Sequence, residues 1–240
     1  MEFRLTDEQL EFKRKCHAFA RDVIRPAAPQ HDRDQSTPYE VLAEARRWGL
    51  HGLDFVMQMA ADESGQMNVI YAEEMHWGCA GIALALAASG LAAAGIAASG
   101  TPQQVMHWVP ECYGAGDETK MGAYAVTEPG AGSDVSSLRT TAKRVGDEWV
   151  LNGSKIFITN GGIADVTVVV ATIDPKLGHR GQASFIVEKG TPGLRMGKKE
   201  DKLGIRASHT AEVILRPLDR VGLHLLNGRL AGRMSVHVTE

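Results

Sequence analysis

The sequence predicts an α+β fold, with an N-terminal α-helical domain followed by a small antiparallel β-barrel or β-sandwich domain. Residues 1–119 contain helix-start signals and apolar residues at helical spacing. Residues 120–215 contain short apolar runs punctuated by turn dipeptides. Residues 216–240 follow neither pattern, and we interpret them as a divergent tail.

The helices of the first half begin at recognisable capping sequences. Thr6–Gln9 forms a capping box, in which the side chains of the first and fourth residues satisfy free backbone N–H groups. Apolar residues follow at helical spacing until Pro26, where we expect the helix to stop. Thr37–Glu40 and Thr101–Gln104 repeat this pattern with proline at the second position, and Gly49 is expected to end the helix that starts at Thr37.

A long uncharged stretch raises the question of a membrane span. From Trp77 to Val109 the only ionisable side chain is His107, so the segment passes a crude length test. Its side chains are mainly those of Ala, Gly and Ser, which gain little free energy from lipid but let helices approach closely. We therefore favour a buried, closely packed helix.

The second half has the short period of β-strands. The turn dipeptides Gly146-Asp147 and Asn152-Gly153 flank a short apolar run and indicate hairpins. The predicted strands are Met121–Val126, Arg139–Val145, Trp149–Leu151, Lys155–Thr159, Asp165–Ile173, Ala183–Glu188 and Ala211–Leu215.

Composition narrows the class of protein. The 240-residue chain has a net charge of −3 and a pI near 6.3, which argues against nucleic acid as a partner. Its 3 cysteines are widely spaced and its 9 histidines lack metal-ligand spacing, so neither a disulfide scaffold nor a metal site is expected. The N-terminal residues do not have the pattern of a secretory signal, which makes the cytoplasm the expected location.

A glycine-rich segment, Tyr124–Val135, follows the first predicted strand. Gly130 and Gly132 are expected to adopt positive φ and to present backbone N–H groups to a phosphate, with the Ser133 hydroxyl as a further donor. Valine at position 135 and the strand-like sequence after it argue against a dinucleotide-binding βα turn. Composition alone leaves an ordinary hairpin loop equally open.

A second segment, Leu151–Gly162, combines an aromatic ring with a hydroxyl group. On a regular strand, Phe157 and Thr159 face one way, while Ile156 and Ile158 face the other. A ring and a hydroxyl on one face can cover a flat conjugated ligand and hydrogen-bond its edge. Spacing alone favours the simpler alternative, a core phenylalanine beside an exposed threonine.

Together these segments resemble the acyl-CoA dehydrogenase family, as do Glu73–Ile82, Gly100–Pro102 and Asp201–Thr210. The resemblance runs from about Leu5 to Leu215. It implies a helical N-terminal domain, a β middle domain and a C-terminal helical bundle. It also implies FAD as cofactor and oxidation of the Cα–Cβ bond of an acyl-CoA thioester to an enoyl-CoA.

The family resemblance also implies roles for individual residues. Ser133 is expected near both the FAD pyrophosphate and the acyl-CoA, and Phe157 stands where members often have tryptophan. Thr159 is expected to donate a hydrogen bond to flavin N5, the atom that receives hydride. The cofactor-binding residues implied in this way are Tyr124, Val126, Thr127, Gly132, Ser133, Phe157, Ile158 and Thr159.

The chain departs from the family pattern in three places. Residues 54–66 are poor in glycine where members have a glycine-rich loop, which puts part of the acyl pocket in doubt. The resemblance fades at Arg216, as a frameshift or truncation would produce. The chain also ends where the family's C-terminal bundle, with its catalytic glutamate, would begin, so we assign no catalytic residue.

The resemblance implies partners as well: an acyl-CoA substrate, electron-transfer flavoprotein as acceptor, and a homo- or hetero-oligomer. Two classes of alternative stay open. One is a non-catalytic binding or assembly subunit, or a truncated inactive product. The other is an acyl-CoA oxidase or flavin monooxygenase of the same fold.

Overall fold

In a computed structural model, the chain is described over residues 4–116, 118–146, 148–216 and 224–226. Within these ranges, eight α-helices precede eight β-strands. Contacts divide the chain into two compact units. The first contains the described residues of Met1–Ala88, Tyr113–Thr119 and Asp201–His209, and the second contains those of Ser89–Cys112, Lys120–Glu200 and Thr210–Glu240.

The predicted helical first half is confirmed. Both Thr6 and Thr101 make complete capping boxes with the glutamine three residues later, and Gly49 follows the end of its helix with φ 63°. The helices are α1 (Asp7–Phe19), α2 (Arg25–Asp34), α3 (Tyr39–Arg47), α4 (Leu53–Ala60), α5 (Gln66–Gly78), α6 (Ala80–Ala87), α7 (Ser89–Ser99) and α8 (Pro102–Glu111).

Pro26 does not stop the first helix, contrary to the prediction. A π-helical turn, Ala20–Ile24, joins α1 directly to α2, and Pro26 lies in the first turn of α2. A wider i→i+5 turn before a proline accommodates its ring and its missing N–H, so the helical path continues.

The capping box predicted at Thr37–Glu40 does not form. Pro38 occupies the N-cap of α3 without a side-chain cap. The Glu40 carboxylate instead hydrogen-bonds the Nε2 atom of the buried His31, whose Nδ1 lies 2.8 Å from the Ser36 hydroxyl. A contact from α3 to α2 has replaced the local one.

The second half forms one eight-stranded sheet, which confirms the predicted α+β class. The strands are β1 (Gly122–Ala125), β2 (Thr141–Val145), β3 (Glu148–Thr159), β4 (Val166–Thr172), β5 (Gln182–Glu188), β6 (Leu194–Lys199), β7 (Thr210–Leu215) and β8 (His224–Leu225). Their order is β6-β7-β3-β2-β4-β5-β8, with β1 beside β4. The sheet is mixed, because β4 runs parallel to both β1 and β2.

Two local predictions in the sheet are wrong. Asn152 and Gly153 continue through β3 instead of turning, and a Cβ on Gly153 would lie 2.4 Å from the Thr140 hydroxyl, so the glycine permits a close backbone approach. Leu194–Lys199 forms a strand where the sequence indicated none. By contrast, Gly146 makes the expected turn with φ 66°, whereas Asp147 lies outside the described residues.

Helix α7 packs on β1 and β4 within the second unit. A Cβ on Gly122 would lie 2.8 Å from the Ala92 Cβ, and the Ser89 hydroxyl accepts a hydrogen bond from the Gly122 N–H at 3.0 Å. Ala80–Ser99 is long and apolar enough to cross a membrane, but 56% of its apolar 18-residue window is buried within the protein. This agrees with the predicted buried helix.

Part of the predicted tail extends the sheet. His224 and Leu225 pair with Ile186 and Phe185 of β5, and Leu225 joins the core of the sheet. Leu226, which is buried, donates its N–H to the Ser184 carbonyl oxygen at 2.9 Å. Residues 217–223 and 227–240 lie outside the described residues.

Candidate functional site

The glycine-rich segment forms a tight loop after β1. Glu128 and Ala131 exchange two backbone hydrogen bonds of 3.0 and 3.1 Å, which close the loop at its base. Ala131 is buried, while Gly130, Gly132 and Ser133 are exposed. The loop therefore presents small residues on its outer side.

The positive φ expected at Gly130 and Gly132 is wrong, since neither residue is in the left-handed region. A Cβ built on either glycine meets no atom within 4 Å. The two glycines therefore leave open space beside the loop backbone, through which a ligand can approach. Among the hydrogen bonds between described residues, none uses the backbone N–H of Gly130, Gly132 or Ser133 as a donor. An anion could approach these donors.

A buried ion pair supports the loop from below. The Lys155 side chain is fully buried, and its Nζ lies 2.7 Å from Glu128 Oε1 and 2.9 Å from the Val126 carbonyl oxygen. The Glu128 carboxylate also accepts the backbone N–H groups of Arg139 (2.7 Å) and Thr140 (3.0 Å). One carboxylate thus joins the loop to β3 and to the start of β2.

Burial and the ion pair shift the pKa values of both Glu128 and Lys155. Burial by itself raises the pKa of Glu128, but hydrogen bonds from Lys155 and from the two backbone N–H groups outweigh it, so the pKa lies below its usual value. Burial lowers the pKa of Lys155, and the neighbouring Glu128 offsets part of that effect.

A β-bulge in β3 shapes the second segment. Lys155 pairs with Val213 and Ile158 pairs with Ala211, so two residues of β3, Ile156 and Phe157, lie opposite the single residue between those partners. The alternation predicted for residues 156–159 is therefore wrong: Lys155 and Ile158 are the buried positions.

Phe157 is held in an unusual conformation at this bulge. Its φ is 57°, in the left-handed region, and its side chain is 62% exposed. A bulky residue seldom adopts positive φ, and such strain concentrates at functional sites. The alternative of a core phenylalanine is excluded by this exposure.

The two predicted segments lie side by side. The Ile156 N–H donates to the Thr127 carbonyl oxygen at 2.9 Å, next to the contacts that Lys155 makes with Val126 and Glu128. Tyr124, Val126, Thr127 and Thr159 are half-buried, and Ile158 is buried. The Thr159 hydroxyl has no hydrogen-bond partner among the described residues. The open loop, the exposed ring and this hydroxyl all belong to the second unit.

Sequence reasoning missed Glu128 and Lys155. The available signal was a lysine inside an otherwise apolar strand, together with a glutamate at the start of the glycine-rich loop. Opposite charges in two segments that resemble the same family could have indicated a buried pair.

Comparisons with known proteins agree with this architecture. Residues 6–115 match the acyl-CoA dehydrogenase N-terminal domain, and residues 123–217 match the middle domain of the same family. The chain therefore belongs to the acyl-CoA dehydrogenase family and carries these two domains.

Individual relatives are similar over most of the chain. The short-chain specific acyl-CoA dehydrogenase of Clostridium acetobutylicum is 38% identical over 91% of this chain and 57% of the relative. The structure of butyryl-CoA dehydrogenase from Megasphaera elsdenii matches with a TM-score of 0.78 and 36% identity, covering 92% of this chain and 60% of that one.

A third similar chain comes from a structure described as the electron transferring flavoprotein of Acidaminococcus fermentans. It matches with a TM-score of 0.80 and 35% identity, covering 95% of this chain and 60% of that one. The chain thus spans less than two thirds of the length of these relatives.

Proposed function

We propose that this chain provides the flavin-binding part of an FAD-dependent acyl-CoA dehydrogenase, which converts an acyl-CoA thioester to an enoyl-CoA. The observation that carries the proposal is Phe157, an exposed aromatic ring in a left-handed conformation at a bulge tied to the glycine-rich loop. A water-exposed, strained ring has a physical reason to exist if a flat ligand stacks on it.

The residues fit FAD in the chemistry of their donors. Gly132 and Ser133 offer exposed backbone N–H groups and a hydroxyl, and the loop leaves space for a pyrophosphate. Phe157 offers an apolar face, and Thr159 a hydroxyl without another partner among the described residues. When bound, the flavin would accept a hydride equivalent from the substrate.

The chain's own residues would bind and orient the cofactor and the substrate. Tyr124, Val126 and Thr127 would line the cofactor at the end of β1, with Ile158 as the buried support of the bulge. Thr159 would donate a hydrogen bond to the flavin edge, and Ser133 would also contact the acyl-CoA. The buried ion pair below the loop keeps these groups in place, and rigid support of this kind is what precise binding requires.

The proposal extends to partners. The substrate would be an acyl-CoA, and the electron acceptor an electron-transfer flavoprotein; the relative from Acidaminococcus fermentans supports that class of acceptor. Assembly with other subunits and a cytoplasmic location are part of the same proposal. None of the eight residues is assigned as the base that removes the substrate α-proton.

A titration with FAD tests whether Phe157 stacks on the flavin. The purified chain is titrated by quenching of flavin fluorescence, and wild type is compared with Phe157→Ala and Phe157→Gly. Both substitutions should weaken FAD binding by about tenfold, which is typical when a stacking ring is removed. In addition, the free energy of unfolding of Phe157→Gly should be about 1 kcal/mol higher than that of Phe157→Ala, because glycine removes the left-handed strain.

The outcomes separate the alternatives. Equal FAD affinity in wild type and both variants refutes the stacking role. Anaerobic addition of acyl-CoA should bleach the bound flavin, and reoxidation should then be faster with an electron-transfer flavoprotein than with oxygen. Rapid reoxidation by oxygen alone would favour an oxidase or monooxygenase, and binding without bleaching would favour a non-catalytic subunit.

A further inference from the structure

Helix α7 contacts the proposed flavin site at Gly95, among other positions. A Cβ built on Gly95 would lie 2.7 Å from Cε2 and 3.1 Å from Cδ2 of Tyr124. Carbon atoms in ordinary contact are at least about 3.4 Å apart, so the Tyr124 ring occupies the space that any other residue's side chain would need at position 95.

The Tyr124 ring also contacts the glycine-rich loop. It packs against a cluster of the buried residues Ala131, Leu138 and Val170. Burial raises the pKa of the Tyr124 phenol, as expected for a half-buried ring. Ala131 lies between Gly130 and Gly132, so this cluster includes the glycine-rich loop itself.

Helix α7 is fixed to β1 by further contacts. Ser89 accepts the Gly122 N–H, and Ala92 leaves no room for a side chain at position 122. The helix therefore cannot retreat easily from β1, which carries Tyr124. An added atom at position 95 would displace the Tyr124 ring, because a side chain can rotate more easily than the fixed helix can shift.

We propose that Gly95 is a positioning residue for the flavin site. It sets the place of the Tyr124 ring between α7 and the glycine-rich loop, and through Ala131 it sets the loop. The inference rests on the proposed flavin function. It adds a residue on a helix that the family resemblance did not connect with the cofactor.

The proposal predicts that Gly95→Ala weakens FAD binding. Helix propensity alone predicts no such loss, because Gly→Ala inside a helix ordinarily stabilises the helix. At position 95 the same change should displace the Tyr124 ring by roughly half an ångström or more and weaken FAD binding about tenfold.

The ring position can be measured without flavin. The protein is labelled with 3-fluorotyrosine at its 4 tyrosines, and the ¹⁹F resonance of Tyr124 is assigned by its loss in Tyr124→Phe. The resonance should shift in Gly95→Ala and stay in place in Ala97→Ser, which adds one atom at an exposed position on the opposite side of α7. Wild type, Gly95→Ala and Ala97→Ser are then titrated with FAD.

Each outcome is decisive. A wild-type chain that binds no FAD, with the ¹⁹F shift still present, overturns the proposed function and leaves the Gly95–Tyr124 contact standing. An unshifted Tyr124 resonance in Gly95→Ala overturns the inference, as does a shifted resonance with wild-type FAD affinity. If Gly95→Ala does not fold, Gly95→Ala/Tyr124→Leu should restore folding by removing the clash, and failure of this double variant overturns the inference as well.

Discussion

Replacement of Lys155 by methionine tests the buried ion pair beneath the glycine-rich loop. Methionine fills similar space but leaves the Glu128 carboxylate with two backbone N–H donors, from Arg139 and Thr140, and the Val126 carbonyl loses its lysine partner. Because the lysine side chain is fully buried and the glutamate only 6% exposed, water cannot compensate easily. Removing one partner of such a pair costs about 3–5 kcal/mol.

The assay is urea unfolding at pH 7, followed by far-ultraviolet circular dichroism. The free energy of unfolding of Lys155→Met should be about 3–5 kcal/mol lower than that of wild type. Lys143→Met, an exposed lysine on β2 of the same sheet, should stay within about 0.5 kcal/mol. The double variant Glu128→Gln/Lys155→Met should recover about 2 kcal/mol of the loss, because no buried charge is left without a partner.

The pH dependence adds an independent check. The pKa of Glu128 is lowered in the folded chain, so its stabilising effect is present above its ordinary value of 4.5 and is lost as the pH falls through the folded value. The gap between wild type and Lys155→Met should therefore narrow as the pH falls below about 4.5, because wild type then loses the stabilisation that the ionised Glu128 contributes. A Lys155→Met stability within 1 kcal/mol of wild type at pH 7 would refute the reasoning, since a pair worth so little cannot hold the loop.

Three further predictions follow from the geometry. Gly132→Val should leave the free energy of unfolding within about 0.5 kcal/mol of wild type, since its Cβ meets open space, but should weaken FAD binding by blocking phosphate approach; equal affinity argues against the phosphate role. Thr159→Val, tested in a form of the enzyme completed with a C-terminal bundle, should slow flavin reduction on the order of 10²-fold with little loss of stability, and an unchanged reductive half-reaction counts against it. Burial, with a contribution from Arg46, lowers the pKa of His51 to about 4 from 6.5. Stability should therefore fall by up to about 3 kcal/mol as the pH drops from 6.5 to 4, because the unfolded chain binds the extra proton. His51→Gln should flatten this slope in thermal unfolding, while the exposed control His76→Gln should keep it.

Much of the fold could be predicted because its signals are local. The capping boxes at Thr6 and Thr101 use atoms three residues apart, so the sequence contains the whole interaction. The turn at Gly146 likewise depends on the φ of one residue. The order of helices before strands follows from these signals together with the change of period near residue 120.

Predictions failed where a distant residue competes with a local signal. Glu40 is positioned to cap its own helix but binds His31, and Asn152-Gly153 reads as a turn but stays in a strand that crosses close to Thr140. The bulge at Phe157 arises from the pairing of β3 with β7, more than fifty residues later, and period-two reasoning could not detect it.

The sequence by itself indicated which segments form the candidate site, because Tyr124–Val135 and Leu151–Gly162 both resemble one family and both lie in the region that matches its middle domain. Only the tertiary structure decided how they meet. The Glu128–Lys155 pair, the exposed Phe157 ring and the contact of Gly95 with Tyr124 each join residues at least 27 positions apart or depend on strand register. Burial and close packing create these interactions, and neither exists until the chain has folded.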